Sequence, residues 1–457
     1  MLTLLLVSCV TDPKLPADDT GTPTDPGYTE VQVDSPSAEV DPDVEALVWV
    51  RWNQLAPAQS WVEARVGGGE WRPTPARARE AGPASQLVAG FPYGSALELR
   101  VVNDFGAGPL ATEPLAFTSG PLPENVPQVG SVEGDATAWD PDTSYVLLSL
   151  ADGDFGAWVF IIDRAGDVVW ARESPRSRLS LHARVSLDGA DLLVDDASYW
   201  SSFDGGASSE VLRMKLDGTV VETMATPGLH HPFTDLPDGS LLYGAYTGTN
   251  DRSETLDRRW PDGTVETAWD CEELIDAVGD DGYCGSNTVW YDPATGRVLY
   301  SLYSVETIVD LDLERAEPVR WFGHLAGSWG FDPPETAFWW QHGGNFTSTG
   351  TLLTSSKGED SARETVIREY RVDEATETLV EVWSFGEGEG IYGDVMGEAH
   401  RLANGNTLHN YGSASRIREV TPDGQVVWDV NWRADTMGRS TPIGDLYAFV
   451  DPAIDGP

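Results

Sequence analysis

The chain has 457 residues, with 29 Lys and Arg against 74 Asp and Glu and a formal charge of −45. That length admits two or three domains, or one large repeat fold with a smaller companion. The charge opposes binding to nucleic acid or to an anionic membrane surface, since the summed field repels both, while 18 Trp leave ample material for an apolar core.

The first nine residues read MLTLLLVSC. Leu6, Val7, Ser8 and Cys9 form a lipobox-like run, at which signal cleavage leaves a lipidated cysteine, although no basic residue precedes it and the apolar run is short. The expectation is an exported bacterial lipoprotein, in the periplasm or on the cell surface, with residues 1–8 a truncated signal-like segment. It would meet the membrane only through a lipid on Cys9. Residues 9–28 are rich in Pro, Asp, Thr and Gly, a composition that cannot bury a core and reads as a disordered tether.

Between 29 and 119 the segments ALVWVRWN (46–53), SWVEARV (60–66), SQLVAGF (85–91) and ALELRVVND (96–104) alternate apolar and polar residues between turn clusters. Period-two runs at this spacing predict an antiparallel β-sandwich. The pattern resembles a fibronectin type III or immunoglobulin-like module. FTSGPLPENVPQ (117–128) reads as the linker out of it.

From 130 to 457 the chain repeats itself. One element is an Asp/Asn/Thr-Gly turn followed by paired apolar residues, as in HARVSLDGADLLV (182–194), HHPFTDLPDGSLLYGAY (230–246) and QHGGNFTSTGTLLTSS (341–356). Its turn glycines, Gly189, Gly239, Gly296, Gly350 and Gly405, are 50, 57, 54 and 55 residues apart by subtraction. A second element interleaves with it, a strand, a turn and a strand ending mostly in Trp, as in VFIIDRAGDVVW (159–170) and RIREVTPDGQVVW (416–428), in six copies. Two hairpins per repeat of about 50 residues is the pattern of a four-stranded propeller blade. The expected fold class is all-β, an N-terminal β-sandwich followed by a six-bladed β-propeller. TSYVLLSL (143–150) would complete the first blade and DLYAFVD (445–451) would close the ring.

Cys271 and Cys284 remain for pairing within the propeller. In an exported protein they read as a disulfide worth about 3 kcal/mol by loop entropy, the alternative being two free buried thiols.

In a propeller, equivalent positions of different blades meet at the central channel. His231 and His342 each lie eight residues before a turn glycine, His182 seven and His400 five. This shared register predicts that imidazoles far apart in sequence converge on one pocket. His324 reads as a loop residue and His409 as a packed or rim side chain.

The runs HHPFTDLPDGSLL, SNTVWYDPATGRVLYSL, FWWQHGGNFTSTGTLL and AHRLANGNTLHNYGSASRIREVTPDGQVVW, in that order, resemble the bacterial arylsulfotransferases. The resemblance implies sulfuryl transfer from one phenol to another through a transiently sulfated histidine, with no free nucleotide cofactor. The small-molecule partner would be a phenol or aryl sulfate, and a homodimer stays open. The family's Gln-His motif falls on Gln341 and His342, making His342 the nucleophile. Trp339 or Trp340 would wall the aryl group, and the sulfuryl-binding histidine falls on the pair His230 and His231. Two positions depart from the pattern. The histidine of the His-x-Asn motif is Gly285 here, with Asn287 retained, and the arginine eighteen residues beyond that histidine is Tyr303. The Asp-Asn-Gly run after the nucleophile's hairpin is also altered, to Ser355, Ser356, Lys357 and Gly358. Because sulfuryl transfer builds negative charge on oxygen, these losses open a second reading. It is a surface-tethered propeller that binds an aromatic ligand without catalysis, with Tyr303 and tryptophans lining the pocket. Lys357 and Arg401 are the candidate replacement cations. No tight His/Asp spacing argues for a metal.

Overall fold

The computed structural model describes residues 27–152, 156–175, 178–199, 205–246, 254–358, 364–433 and 436–451; residues 1–26, with the lipobox and Cys9, lie outside them. Nearly every described element is a β-strand. Two sheets form the N-terminal sandwich. One holds Val33–Val40, Val48–Gln54 and Gly82–Val88, and the other is built on Ala58–Val66 and Ala96–Asp104. Val48, Val50, Trp52 and Val88 of the first sheet interlock with Val62, Ala64, Leu97, Leu99 and Val101 of the second. This is the alternation of the sequence turned into an inner face.

Six further sheets form the propeller, each with four strands ordered outward from the axis by antiparallel pairing. The second blade is Ala183–Val185, Leu192–Asp196, Glu210–Met214 and Val220–Ala225, and the third begins at Leu229–Asp235. The fourth begins at Ser286–Asp292, the fifth at Gly344–Phe346 and the sixth at Glu398–Arg401. Two blades carry a fifth strand on the outer edge. Val129–Gly134 covers the sixth, and Gly330–Asp332 runs parallel along the fifth. Both additions cap strand edges that would otherwise expose unpaired backbone groups.

The ring closes on the first blade, and not through the segment expected from the sequence. Thr436–Ile443 pairs antiparallel with Tyr145–Asp152 and becomes that blade's innermost strand. Residues 445–451 instead contain a short 3-10 turn, Leu446–Phe449, capped by the Asp445 carboxylate on the Tyr447 N–H. That turn docks the sandwich: the Tyr447 hydroxyl accepts from the Ala89 N–H at 3.1 Å. Phe449 shares a core with Leu47, Trp49, Leu87 and Trp170. The physical reason for the difference is that the closing strand buries Arg439 on the entry carbonyls of other blades instead of carrying a row of apolar residues. TMGRSTPI therefore lacks the apolar run by which the outer strands announce themselves.

Arg439, on the closing strand, is 1% exposed. Its Nη1 donates to the carbonyls of His342 (3.3 Å) and Gly397 (2.5 Å), and its Nη2 to the Asn287 carbonyl (2.5 Å) and Thr288 Oγ1 (2.6 Å). One side chain from the first blade thereby ties the entry points of the fourth, fifth and sixth. Replacing Arg439 by Leu would strand these buried acceptors at a cost of about 1–3 kcal/mol each. Chemical denaturation of Arg439→Leu should show a loss of at least about 3 kcal/mol, and an unchanged midpoint would contradict this role.

Candidate functional site

A cavity of about 490 Å³ opens at the end of the ring where the innermost strands begin. His230, His231, Ser286, Asn287 and His342 come from that entry level of three blades, with Tyr246, Tyr283 and Tyr303 on the walls. Leu179, Leu181, Val395 and Met396 add apolar surface. The two imidazoles at 231 and 342, far apart in sequence, therefore line one well.

His342 is held from both sides of its own backbone. Its N–H donates to the Ser355 carbonyl at 2.9 Å, and its carbonyl accepts from Arg439. The ring Nδ1 lies 3.2 Å from the Trp340 carbonyl. A carbonyl only accepts, so Nδ1 carries the proton and the lone pair sits on Nε2. Burial, followed by the charges of Arg439 and Lys357, lowers its pKa to about 3. The ring is neutral throughout the physiological range. Gly343 follows at φ +106°, where a Cβ would come within 3.1 Å of an Arg439 nitrogen, and a Cβ on Gly344 would meet Ile308 at 2.7 Å. The two glycines let blades approach at the axis.

The neighbouring histidines divide their tasks. His230 is turned between the third and fourth blades, its Nε2 3.1 Å from the Ser286 carbonyl and 3.3 Å from Glu254 Oε1. His231 is 8% exposed, and neither ring nitrogen has a hydrogen-bond partner among the described residues. An orphaned buried donor and acceptor costs about 1–3 kcal/mol unless a ligand or water satisfies it. Burial, then the fields of His230 and Arg439, hold His231 neutral as well. His182 sits beside it, Nδ1 3.0 Å from the His231 carbonyl, outside the cavity wall. His400 is farther down its strand, with Nε2 on the Ser440 carbonyl at 2.8 Å. His409 is buried against Ser355 Oγ at 2.9 Å, and His324 reaches the Phe338 carbonyl.

Tyr303 lines the cavity with its ring centroid 4.7 Å from that of His342 and 5.4 Å from that of Trp340. Trp340 is 36% exposed at φ +49°. That left-handed turn aims its carbonyl at His342. Trp339 packs on His324 at 3.9 Å, and its ring is not part of the cavity wall. Gln341 is fully buried, its amide donating to Ser301 Oγ and to the Leu302 and Thr307 carbonyls, so its side chain pins the fifth blade to the fourth. The Asn287 amide donates to the Gln341 carbonyl at 2.5 Å. Gly285 lines the cavity, and a Cβ there would come within 3.0 Å of the Tyr283 ring and 3.2 Å of Ser304.

Of the two candidate cations, Arg401 is at the far end of its strand, paired with Glu369 and stacked on Trp383. Lys357 is buried near the mouth, 3.1 Å from Asp394 Oδ1, and its charge reaches His342 and Tyr303. Three ionisable groups are not evident from the sequence: Arg439, Glu254 and Glu398. Glu398 is opposed by burial but held at about 2 by His400, Arg439 and His182. Only Glu398 had a topological signal, since it opens a strand that the repeat places at the axis. Cys271 and Cys284 form a disulfide with Cα atoms 5.9 Å apart. It joins the helix Cys271–Val278 to the residue before the fourth blade's cavity loop. Among the described residues no cluster of His, Cys, Asp or Glu is arranged to hold a metal ion.

Residues 133–438 match the family model described as Arylsulfotransferase (ASST). No curated protein matches the chain. A solved protein of unknown function from Bacteroides caccae is 14% identical, with 66% of this chain and 100% of that one covered at a TM-score of 0.46. A streptogramin B lyase structure is 11% identical over 68% and 97% at 0.39. A Lactobacillus plantarum protein is 11% identical over 63% and 81% at 0.39.

The geometry of His342 is open to direct measurement. In ¹⁵N-labelled protein, with His342→Gln as the assignment control, Nε2 should carry the shift of an unprotonated nitrogen. It should keep it down to about pH 5, where an unperturbed imidazole is mostly protonated. Titration near 6.5, the unperturbed value, would contradict the burial described.

Proposed function

The chain belongs to the arylsulfotransferase family, and we propose that it transfers a sulfuryl group between phenolic compounds through an N-sulfohistidine at His342. The observation that carries this reading is the pairing of an open, neutral Nε2 on His342 with the unpartnered ring of His231 across one cavity. In the first half-reaction Nε2 attacks sulfur, an N–S bond forms and the aryl S–O bond breaks. In the second a phenol oxygen attacks the same sulfur and His342 leaves.

The charge that builds on the sulfuryl oxygens needs donors and positive potential. One His231 nitrogen supplies a donor. The fields of Arg439 and Lys357, which disfavour an imidazolium at 342, favour an anionic sulfuryl group there by the same sign. They offset part of what Gly285 and Tyr303 leave out. Three tyrosines and an apolar wall suit an aryl ring.

The reading includes export and attachment through a lipid on Cys9, with no cofactor, no nucleic acid and a fibronectin type III-like N-terminal module. The disulfide supports an oxidising compartment. A second reading, an aromatic-binding propeller without catalysis, draws on Tyr303, whose ring stands against His342 where the family carries arginine.

Incubation with 4-nitrophenyl sulfate and phenol separates the two. Wild type should release 4-nitrophenol and form phenyl sulfate, and without acceptor the His342 peptide should gain one SO₃ in mass. His342→Asn should lose both, and His231→Ala should slow turnover about 100- to 1,000-fold, the usual effect of one lost donor. Absence of product and of the adduct in wild type would leave only the binding reading.

A further inference from the structure

Behind the cavity wall lies a buried acid that the reading above does not use. Glu254 opens the third strand of the third blade and is 1% exposed. Its Oε1 accepts the Ser286 N–H at 3.0 Å, and its Oε2 lies 2.5 Å from Ser286 Oγ and 3.4 Å from the Tyr300 hydroxyl. Tyr246, its direct partner across the hairpin, also hydrogen-bonds it. The groups packed on it are thus His230 from the blade's first strand, Tyr246 from its second and Tyr300 from the fourth blade. Asp257 lies on its own strand and Tyr283 lies beside Tyr246. The arrangement is built in: the Glu254 N–H donates to the Cys284 carbonyl at 3.1 Å, so the disulfide loop delivers Ser286 onto the carboxyl.

Three of these neighbours, His230, Tyr246 and Ser286, line the cavity. The acid is therefore one hydrogen bond behind the wall. Burial outweighs the hydrogen bonds and raises its pKa to about 8. At neutral pH most of it carries a proton. An Oε2–H can donate to Ser286 Oγ, which frees the serine O–H to donate into the cavity.

We propose that Glu254, acting through Ser286, stores the proton of the transfer reaction, giving it to the departing aryloxide and recovering it from the incoming phenol. This rests on the transferase reading. In the first half-reaction the S–O pair goes to the aryl oxygen, Ser286 passes it a proton, and Ser286 takes one from Glu254, which becomes a carboxylate. In the second, the phenol proton returns along the same path as its oxygen attacks sulfur and the N–S pair returns to His342. No oxidant or further reactant is needed. Glu254 is a positioning residue for that proton, and Ser286 touches the substrate oxygen. The relay takes the place of the imidazole that Gly285 lacks.

The test uses two donors of different leaving-group basicity. A 4-nitrophenolate leaves without help, whereas phenolate needs a proton. Glu254→Gln should slow turnover of phenyl sulfate about 100-fold or more, the usual scale of general acid catalysis, and that of 4-nitrophenyl sulfate under about tenfold. Ser286→Ala should show the same donor selectivity, with Ser286→Thr restoring part of it. The wild-type first half-reaction with phenyl sulfate should decline above about pH 8, and Glu254→Gln should lose that limb. Equal slowing of both donors, or no slowing of either, overturns the relay while leaving the transferase reading intact. Should Glu254→Gln fail to fold, the serine pair decides. A wild type inert toward both donors overturns the transferase reading and the relay with it.

Discussion

The molecule turns on a guanidinium that touches no carboxylate among the described residues. Arg439 satisfies four of its donors on three carbonyls and a hydroxyl, all neutral. Its charge is therefore not cancelled where it sits. Glu398 is near enough to respond to it and is held ionised in part by it. A buried ion is expensive to desolvate, and only well-aimed acceptors make it tolerable. The blades must therefore present their entry carbonyls to one point. This is a constraint on the whole ring, since the arginine arrives on the last strand to be added. Closure and alignment of the axial residues are one event.

The same charge sets the chemistry above it. His182, His231 and His342 all lose basicity to burial, and Arg439 adds to that loss for each. Within a chain of formal charge −45, the cavity is thus lined by the neutral imidazoles of His231 and His342 with the Arg439 charge behind them. Long-range repulsion is screened within about 8–10 Å at ordinary salt, so the local field governs an anion once it is inside. On the transferase reading, this lessens what the tyrosine at 303 would cost sulfuryl transfer. What it removes is a bidentate donor. The Arg439 charge remains.

The repeat made the propeller legible, because each blade must place a turn and two apolar runs at nearly fixed spacing. The register of His231 and His342 was legible for the same reason. What the spacing did not show was the direction of side chains at a strand's entry, where pleating gives way to turns. Trp339 and Gln341 flank the same short run as His342, yet one packs on His324 and the other bridges blades. The left-handed Trp340 between them breaks the alternation. Ring closure is not legible in the sequence because the closing strand carries polar residues where the other strands show apolar runs, and Arg439 is hidden with it. Glu254 was invisible for a different reason: its partners come from other strands and from the next blade, brought together by a disulfide loop.

The states of His342 and Glu254 share one cause. Burial favours the neutral form of whatever is buried, so it lowers an imidazole and raises a carboxyl. In water the two would titrate at 6.5 and 4.5, and above the point where the imidazole is free the acid is already spent. In this cavity the order is reversed. His342 is neutral above about 3 and Glu254 is protonated up to about 8. Between those limits a neutral imidazole and a protonated carboxyl coexist, the two forms that the proposed transfer calls for. Driving paired groups apart in this way is how one site runs acid and base chemistry near neutrality. An open, solvated cavity with the same residues would have no such window, and so on the proposed reading the apolar wall of Leu181, Val395 and Met396 would serve the chemistry as much as the binding of a ring.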